Sequence, residues 1–266
     1  MKKVSLLVLF ATIVIGVSAQ TADEVVNKFL EASGGKDKLA SIKTLQYRQL
    51  IKLKLPMGQF DVPLQYFKEK NKFFRVQSSI AMGGQSMSFF TLVTDTAGYN
   101  SIPPNPFTGA EGGIEKMSDK VFKSMSYQTD PAGLFAPLVD YAAKGSKVEL
   151  LKDDKVNKEE CYKLKLTSAG GQETTFLINK NTYLVARVDA KGEMAANNSG
   201  MGGMMAGLGG KMDKMEVKIE YTDYTDVGGL KFPTKALIKS NISDSQSEIS
   251  DIQINKEIDP RWLKAQ

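Results

Sequence analysis

Most of this chain alternates between apolar and polar residues. Ile51, Leu53 and Leu55 are separated by Lys52 and Lys54. Phe60, Val62, Leu64 and Tyr66 alternate with Asp61, Pro63, Gln65 and Phe67. The same period runs through Phe74, Val76 and Ile80, through Met87 to Val93, and through Tyr162, Leu164 and Leu166 against Cys161, Lys163 and Lys165. A period of two sends successive side chains to opposite faces of a strand. Turn signals punctuate the runs: Pro56-Met57-Gly58, Lys70-Asn71-Lys72, Gly83-Gly84, Gly170-Gly171 and Asn179-Lys180-Asn181. Further strands are expected at 173–179 and 183–190, through Val217, Ile219 and Tyr221, at 230–239 after Val227-Gly228-Gly229, and at 247–255. The pattern predicts a mainly β fold, one antiparallel system of about ten or eleven strands with a single apolar face.

Such a face needs a cover, and helical spacing supplies candidates. Thr21 to Glu24 has capping-box spacing, Val25, Val26, Phe29 and Leu30 follow a helical period, and Gly34-Gly35 ends the segment. Prolines 103, 104 and 106 make 102–109 an irregular connection, which Gly112-Gly113 prolongs. Ser118 is placed to cap a helix carrying Val121, Phe122 and Met125. A second helix is expected from about Asp130 through Leu134, Leu138 and Tyr141 to Gly145. A curved sheet wrapped around these helices encloses an apolar interior. The interior is core if the helices fill it and a ligand pocket if they do not, and periodicity does not separate the two. Phe60, Tyr66, Phe74, Phe89, Tyr162, Phe176 and Tyr221 are the inner-face candidates for lining it. Val121, Phe122, Met125, Leu134 and Leu138 are the candidates for a lid.

Lys2-Lys3, the apolar run Val4 to Val17 and the small residues Val17-Ser18-Ala19 read as a secretory signal peptide over 1–19. An uncleaved anchor is the alternative. The expected mature chain is a single domain over 20–266. No cysteine follows the apolar run, so lipid attachment there is not expected. Without Lys2 and Lys3 the formal charge falls from +5 to +3, and the lysines are scattered, which argues against nucleic acid as a partner. There is no histidine, which excludes Ser-His-Asp and Cys-His catalysis and removes the commonest transition-metal ligand. Cys161 is the only cysteine, so no intramolecular disulfide forms, and it reads as an inert small hydrophobe on a strand. The pairs Asp153-Asp154 and Glu159-Glu160 read as solvated turns.

Several stretches resemble the LolA-like periplasmic proteins, especially the outer-membrane lipoprotein-sorting homologues of Bacteroidota. They are Ala32-Ser33-Gly34-Gly35-Lys36-Asp37-Lys38-Leu39, Asn105-Pro106-Phe107-Thr108-Gly109, Cys161 to Thr167, Thr175 to Ile178, Thr182 to Val185, and Tyr221-Thr222-Asp223-Tyr224 with Gly229-Leu230-Lys231-Phe232-Pro233. The resemblance implies an incomplete β-barrel closed by lid helices, with a hydrophobic cavity for acyl chains. It implies a periplasmic carrier, not an enzyme, and brings no catalytic motif, cofactor or metal. The implied partners are a lipid or acylated lipoprotein and membrane-embedded donor and acceptor proteins.

One tract departs from that pattern. Asn197 to Lys214 is rich in glycine and methionine, and a flexible loop is expected over about 193–214. Three readings stay open: a disordered loop, an adaptable methionine lid at a cavity mouth, or a soft-metal site built from thioethers. Three functions also stay open: a carrier for a lipid or acylated protein, an envelope scaffold whose barrel its own helices fill, and a hydrolase working through carboxylates alone.

Overall fold

The computed structural model describes residues 20–55, 58–82, 85–104, 111–199 and 212–265. The expected signal peptide, the turns at 56–57 and 83–84, the Asn105–Gly109 segment and residues 200–211 of the glycine–methionine tract lie outside them.

The chain opens with α1 (Ala22–Ala32). The predicted capping box is formed: Thr21 Oγ1 accepts from the Glu24 N–H at 3.2 Å, and Glu24 Oε2 accepts from the Thr21 N–H at 2.9 Å. Val25, Val26, Phe29 and Leu30 are buried, and Phe29 packs its ring 5.4 Å from that of Phe135. Gly34 and Gly35 both have positive φ and lead into the short α2 (Lys36–Ala40). A Cβ on Gly34 would overlap the Gly229 carbonyl oxygen, so glycine lets the end of α1 lie against a sheet hairpin.

Thirteen antiparallel strands follow among the described residues. They are β1 (Thr44–Leu55), β2 (Gly58–Glu69), β3 (Phe73–Met82), β4 (Gln85–Thr94), β5 (Gly98–Ile102) and β6 (Gly113–Lys116), then β7 (Lys147–Val156), β8 (Glu159–Thr167), β9 (Glu173–Asn179), β10 (Val185–Lys191), β11 (Glu216–Val227), β12 (Leu230–Ser240) and β13 (Ser245–Ile254). The spatial order is β6-β5-β4-β3-β2-β1-β13-β12-β11-β10-β9-β8-β7. Two meanders are therefore joined where β1 pairs with β13, Leu53 facing Ser245 and Leu45 facing Ile254. β6 and β7 are the two edges and do not pair, so the curled sheet is an unclosed barrel.

The count exceeds the expected ten or eleven. β5 and β6 are short and β6 is exposed throughout, so neither carries an alternating apolar stripe. β7 contains Asp153-Asp154, which corrects their reading as a turn. Asp154 ion-pairs with Lys163 at 3.2 Å across to β8, and Asp153 pairs with Lys180. The β7–β8 reversal is at Asn157-Lys158, both with positive φ, as a tight two-residue hairpin requires. Glu159 and Glu160 begin β8.

The connection from β6 to β7 must travel from one open edge of the sheet to the other, so it crosses the mouth of the curl. It holds α3 (Asp119–Met125), capped by Ser118 Oγ accepting from the Val121 N–H, and two 3-10 turns at Ser126–Thr129 and Gly133–Phe135. The second α-helix expected from Asp130 to Gly145 is absent. Gly133 and Asp140 have φ of +64° and +52°, which an α-helix does not allow. Asp130 Oδ1 also accepts from the Ala132 N–H at 3.2 Å, closing a turn in place of a helical start. A further short helix, α4 (Gly192–Asn198), occupies the start of the segment read as a loop.

The main core fills the concave side, where α1 and residues 132–139 of the crossing segment meet both meanders. A small second cluster lies on the convex side, where Trp262 stacks on Phe67 at 5.1 Å and Arg75 lies over Phe90 at 4.2 Å. Cys161 is fully buried with Val156 and Leu177, and burial raises its thiol pKa, the setting of an inert cysteine.

Candidate functional site

Between the concave face and the crossing segment lies a cavity of about 130 Å³. Its sheet wall comes from six strands of both meanders, with β13 contributing Ser247, Ile249 and Ile252. β1 presents Leu45, Tyr47 and Gln49, because odd positions of that strand face inward with Ile51 and Leu53. β2 presents Tyr66 and Lys68 at even positions, in phase with Val62 and Leu64. Phe176, Tyr221 and Phe232 follow from β9, β11 and β12. The cover is Tyr127, Gln128, Gly133 and Pro137 of the crossing segment, together with Met194 and Asn197 of α4.

This wall is more polar than a plain core. Tyr47 and Tyr66 stack with ring centroids 4.5 Å apart and planes 11° from parallel. Burial raises the pKa of Tyr47, Tyr66, Tyr127 and Tyr221, so all four stay neutral phenols and keep their protons to donate. Gln49 Nε2 donates to Ser247 Oγ at 2.7 Å. Lys68 is 3% exposed. Its ammonium donates to Gln128 Oε1 at 2.9 Å and lies 5.2 Å from the centre of the Phe74 ring. Burial pushes its pKa down to about 8, against a smaller upward pull from Asp130. Asp130 itself is ion-paired with Lys144 at 2.6 Å. Among the described residues no carboxylate forms a salt bridge with Lys68.

A larger groove of about 620 Å³ adjoins the cavity on the outside. Tyr127, Pro137, Thr174 and Met194 line both spaces, so these four side chains form the partition. Lys120, Lys123 and Lys144 make much of the groove's rim cationic. The far end of the crossing segment is tied down: Tyr141 donates to the Asp23 carboxylate of α1, and Asp140 pairs with Lys36 of α2 at 2.8 Å. Its near end is held less firmly, with Val121 and Phe122 of α3 half-buried.

Three of the seven inner-face candidates, Tyr66, Phe176 and Tyr221, line the cavity. Phe60, Phe74 and Phe89 pack in or against the main core without reaching it, and Tyr162 sits toward the rim, stacked on Tyr183 at 6.0 Å. Of the lid candidates, Met125 and Leu138 are buried in the main core, and Val121 and Phe122 pack against it. Leu134 falls in a 3-10 turn. The crossing segment meets the cavity through neighbouring residues instead. Tyr47, Gln49 and Lys68 were not among the candidates. Their signal was phase: each continues the inward register of its strand, and only the polarity of Gln49 and Lys68 hid them. Tyr127 and Gln128 carry no periodic signal, because a 3-10 turn has no extended stripe.

Among the described residues no group of three acidic, cysteine or histidine side chains is set to hold a metal, and no helix is long and apolar enough to cross a membrane.

An unclosed antiparallel sheet, curled around a cavity and bridged at its open edges by a short helical segment, defines the class of protein. No family model and no curated protein matches the chain. Solved structures do. The chain is similar to a LolA superfamily protein from Nitrosomonas europaea, with a TM-score of 0.55 at 13% identity over 92% of this chain and 99% of that one. It is also similar to a domain named for outer membrane lipoprotein sorting from Vibrio parahaemolyticus, with a TM-score of 0.51 at 10% identity over 90% and 94% of the two chains. The likeness shows that this chain shares its fold with these structures. At such identities the likeness speaks for architecture, and the site must speak for chemistry.

Proposed function

We propose that this protein is a non-enzymatic periplasmic carrier that takes a lipid, or the acyl chains of a lipoprotein, into the concave interior on the way to the outer membrane. The observation that carries this reading is the partition. Tyr127, Pro137, Thr174 and Met194 separate an interior cavity from an outer groove, and two of the four belong to a segment that bridges the unpaired edges β6 and β7. Moving the Ser126–Thr129 turn outward would carry Tyr127 out of the partition without breaking a strand pair. The names of the fold's relatives, LolA superfamily and lipoprotein sorting, point the same way. In this reading residues 1–19 direct export and 20–266 form the carrier domain. Each buried methylene of a ligand contributes about 0.8 kcal/mol before ordering costs.

A second reading rests on a specific observation. The cavity of about 130 Å³ is smaller than the roughly 300 Å³ at which ligand pockets begin, and Phe29, Phe135 and Leu138 are fully buried in the interior. A barrel filled in this way would serve as an envelope scaffold acting through surface loops.

Native mass spectrometry of the protein purified from its envelope without detergent, followed by organic extraction, separates the two. A bound acylated species supports the carrier. An empty mass, together with refusal of a fluorescent fatty acid, overturns it in favour of the scaffold.

A further inference from the structure

We propose that the interior selects a ligand with an anionic oxyacid head, a carboxylate or a phosphate carried on an acyl chain, and that Lys68 is the residue that holds the head. This deepens the carrier reading above and rests on it.

Lysine is almost never fully buried unless it is paired. Lys68 is buried in the wall of the cavity, its single hydrogen-bond acceptor among the described residues is the neutral amide oxygen of Gln128, and the nearby Asp130 is engaged by Lys144. An ammonium has three donors, so two remain for a ligand. The Phe74 ring face offers attraction to the cation but no hydrogen-bond acceptor. Tyr47, Tyr66 and Tyr221 line the same cavity, and among the described residues none of their hydroxyls donates to a protein acceptor. The site therefore concentrates donors around one buried positive charge, the other lysine of the lining, Lys235, being exposed and paired with Asp223. A carboxylate or phosphate head answers both, since it brings acceptors and charge together. A glyceride ester or an alcohol brings acceptors and leaves the charge uncompensated.

Size fits the same arrangement. The cavity has room for a head and little more, and the groove beyond Tyr127 and Met194 has the volume for a chain. The head would sit innermost at Lys68, with the chain leading outward through the partition. The lowered pKa of Lys68 leaves it mainly protonated at neutral pH, the state that an anion requires.

The test uses the full, delipidated chain at neutral pH with three probes: hexadecanoic acid, hexadecanol and dihexadecanoyl phosphatidylglycerol. Calorimetry or native mass spectrometry reads the affinities. At least one anionic probe is expected to bind about ten- to a hundred-fold more tightly than the alcohol, the gain of a charge-assisted hydrogen bond. Preference for the fatty acid identifies a carboxylate head, and preference for phosphatidylglycerol a phosphate head. The preference should collapse in Lys68→Met and persist in Lys68→Arg. Equal binding of alcohol and anions by the unaltered protein overturns the anionic head and leaves the carrier reading standing. A preference that survives in folded Lys68→Met overturns the role of Lys68. Binding of none of the three overturns the carrier reading and this inference with it.

Discussion

Lys68 Nζ donates to Gln128 Oε1 across 2.9 Å, so a buried cation on the sheet is held by an uncharged acceptor on the segment that covers it. One hydrogen bond thus links the inner face of β2 to the cover. It does not neutralise the charge.

The first prediction follows from that charge. The titratable groups around Lys68 are Tyr47 from β1, Tyr66 from its own strand, Tyr221 from β11, Tyr127 and Asp130 from the cover, and the exposed, Asp223-paired Lys235 of β12 at the cavity lining, with Phe74 from β3 bringing no charge. The four tyrosines are shifted up by burial and stay neutral well into alkaline pH. Affinity for an anionic amphiphile is therefore expected to hold at neutral pH and to fall about ten-fold or more as pH rises through about 8, where Lys68 loses its proton. Calorimetric titration across that range checks it. In Lys68→Arg, whose guanidinium keeps its proton, the fall should disappear.

A second prediction concerns stability. The Lys68 pKa is lower in the folded protein, at about 8 against 10.5 when unperturbed, so the unfolded chain binds more protons between these values. Stability then rises with pH across that window, and the cost of burying the charge is fully present below about 8. Lys68→Met removes this cost but leaves the Gln128 acceptor unmet. The net expectation is stabilisation of about 1–2 kcal/mol at neutral pH, shrinking toward pH 10.5. Urea unfolding at neutral and alkaline pH measures it. A Lys68→Met protein less stable than the original at neutral pH would show that the lysine is there for structure.

The contrast between Lys68 and its neighbours shows how much the sequence discloses. Strand faces were legible because covalent geometry enforces a period of two. Val62, Leu64, Tyr66, Leu164, Leu166, Val217 and Ile219 all lie buried in, or against, the concave core. The capping box of α1 was legible because its partners are three residues apart. The second helix of the cover was not, because Gly133 and Asp140 take left-handed conformations that the tertiary fold imposes. β7 was hidden because its charged residues find partners in Lys163 and Lys165 of β8 and in Lys180, just past β9. Of the cavity, the apolar wall was visible and the polar wall was not. Lys68 and Gln49 obey the alternation in position and break it in chemistry, as binding residues on a scaffold do.

Gly34 carries the third prediction. Its φ is +117°, and a Cβ there would overlap the Gly229 carbonyl oxygen and crowd the backbone of Leu230. Both obstacles are backbone, so neither yields by a side-chain rotation. The Lys231 N–H also donates to the Ser33 carbonyl at 3.0 Å, fixing the approach of the two chains. Gly34→Ala is expected to destabilise the protein by about 2–4 kcal/mol, combining the left-handed penalty with displacement of the β11–β12 turn. Gly35→Ala shares a positive φ of +99° but meets nothing within 4 Å, so its cost should be about 1–2 kcal/mol. The difference between the two melting temperatures isolates the close approach from the dihedral strain.

The fourth prediction uses Trp262, the only tryptophan in the chain. It stacks on Phe67 at 5.1 Å, and the carbonyls of Trp262 and Lys264 accept from the Arg75 guanidinium at 3.4 and 2.8 Å. The C-terminal turn Pro260–Leu263 thereby covers Phe67, Phe73, Phe90 and Leu92, which face away from the main core. Those four are apolar residues on the convex side of β2, β3 and β4, and uncovering them would leave an exposed apolar patch beside the cavity wall that carries Tyr66 and Lys68. Trp262→Ala is expected to cost about 1–2 kcal/mol, since the side chain is only half-buried, and to remove the stack that anchors the turn. Because the indole is unique, its fluorescence reports on this turn alone. If the turn is part of the cooperative unit, fluorescence and far-ultraviolet circular dichroism will give coincident urea transitions in the unaltered protein. An earlier fluorescence transition would mean that the C-terminal cover detaches before the sheet unfolds, leaving the convex face of β2 open while the cavity on its other side persists.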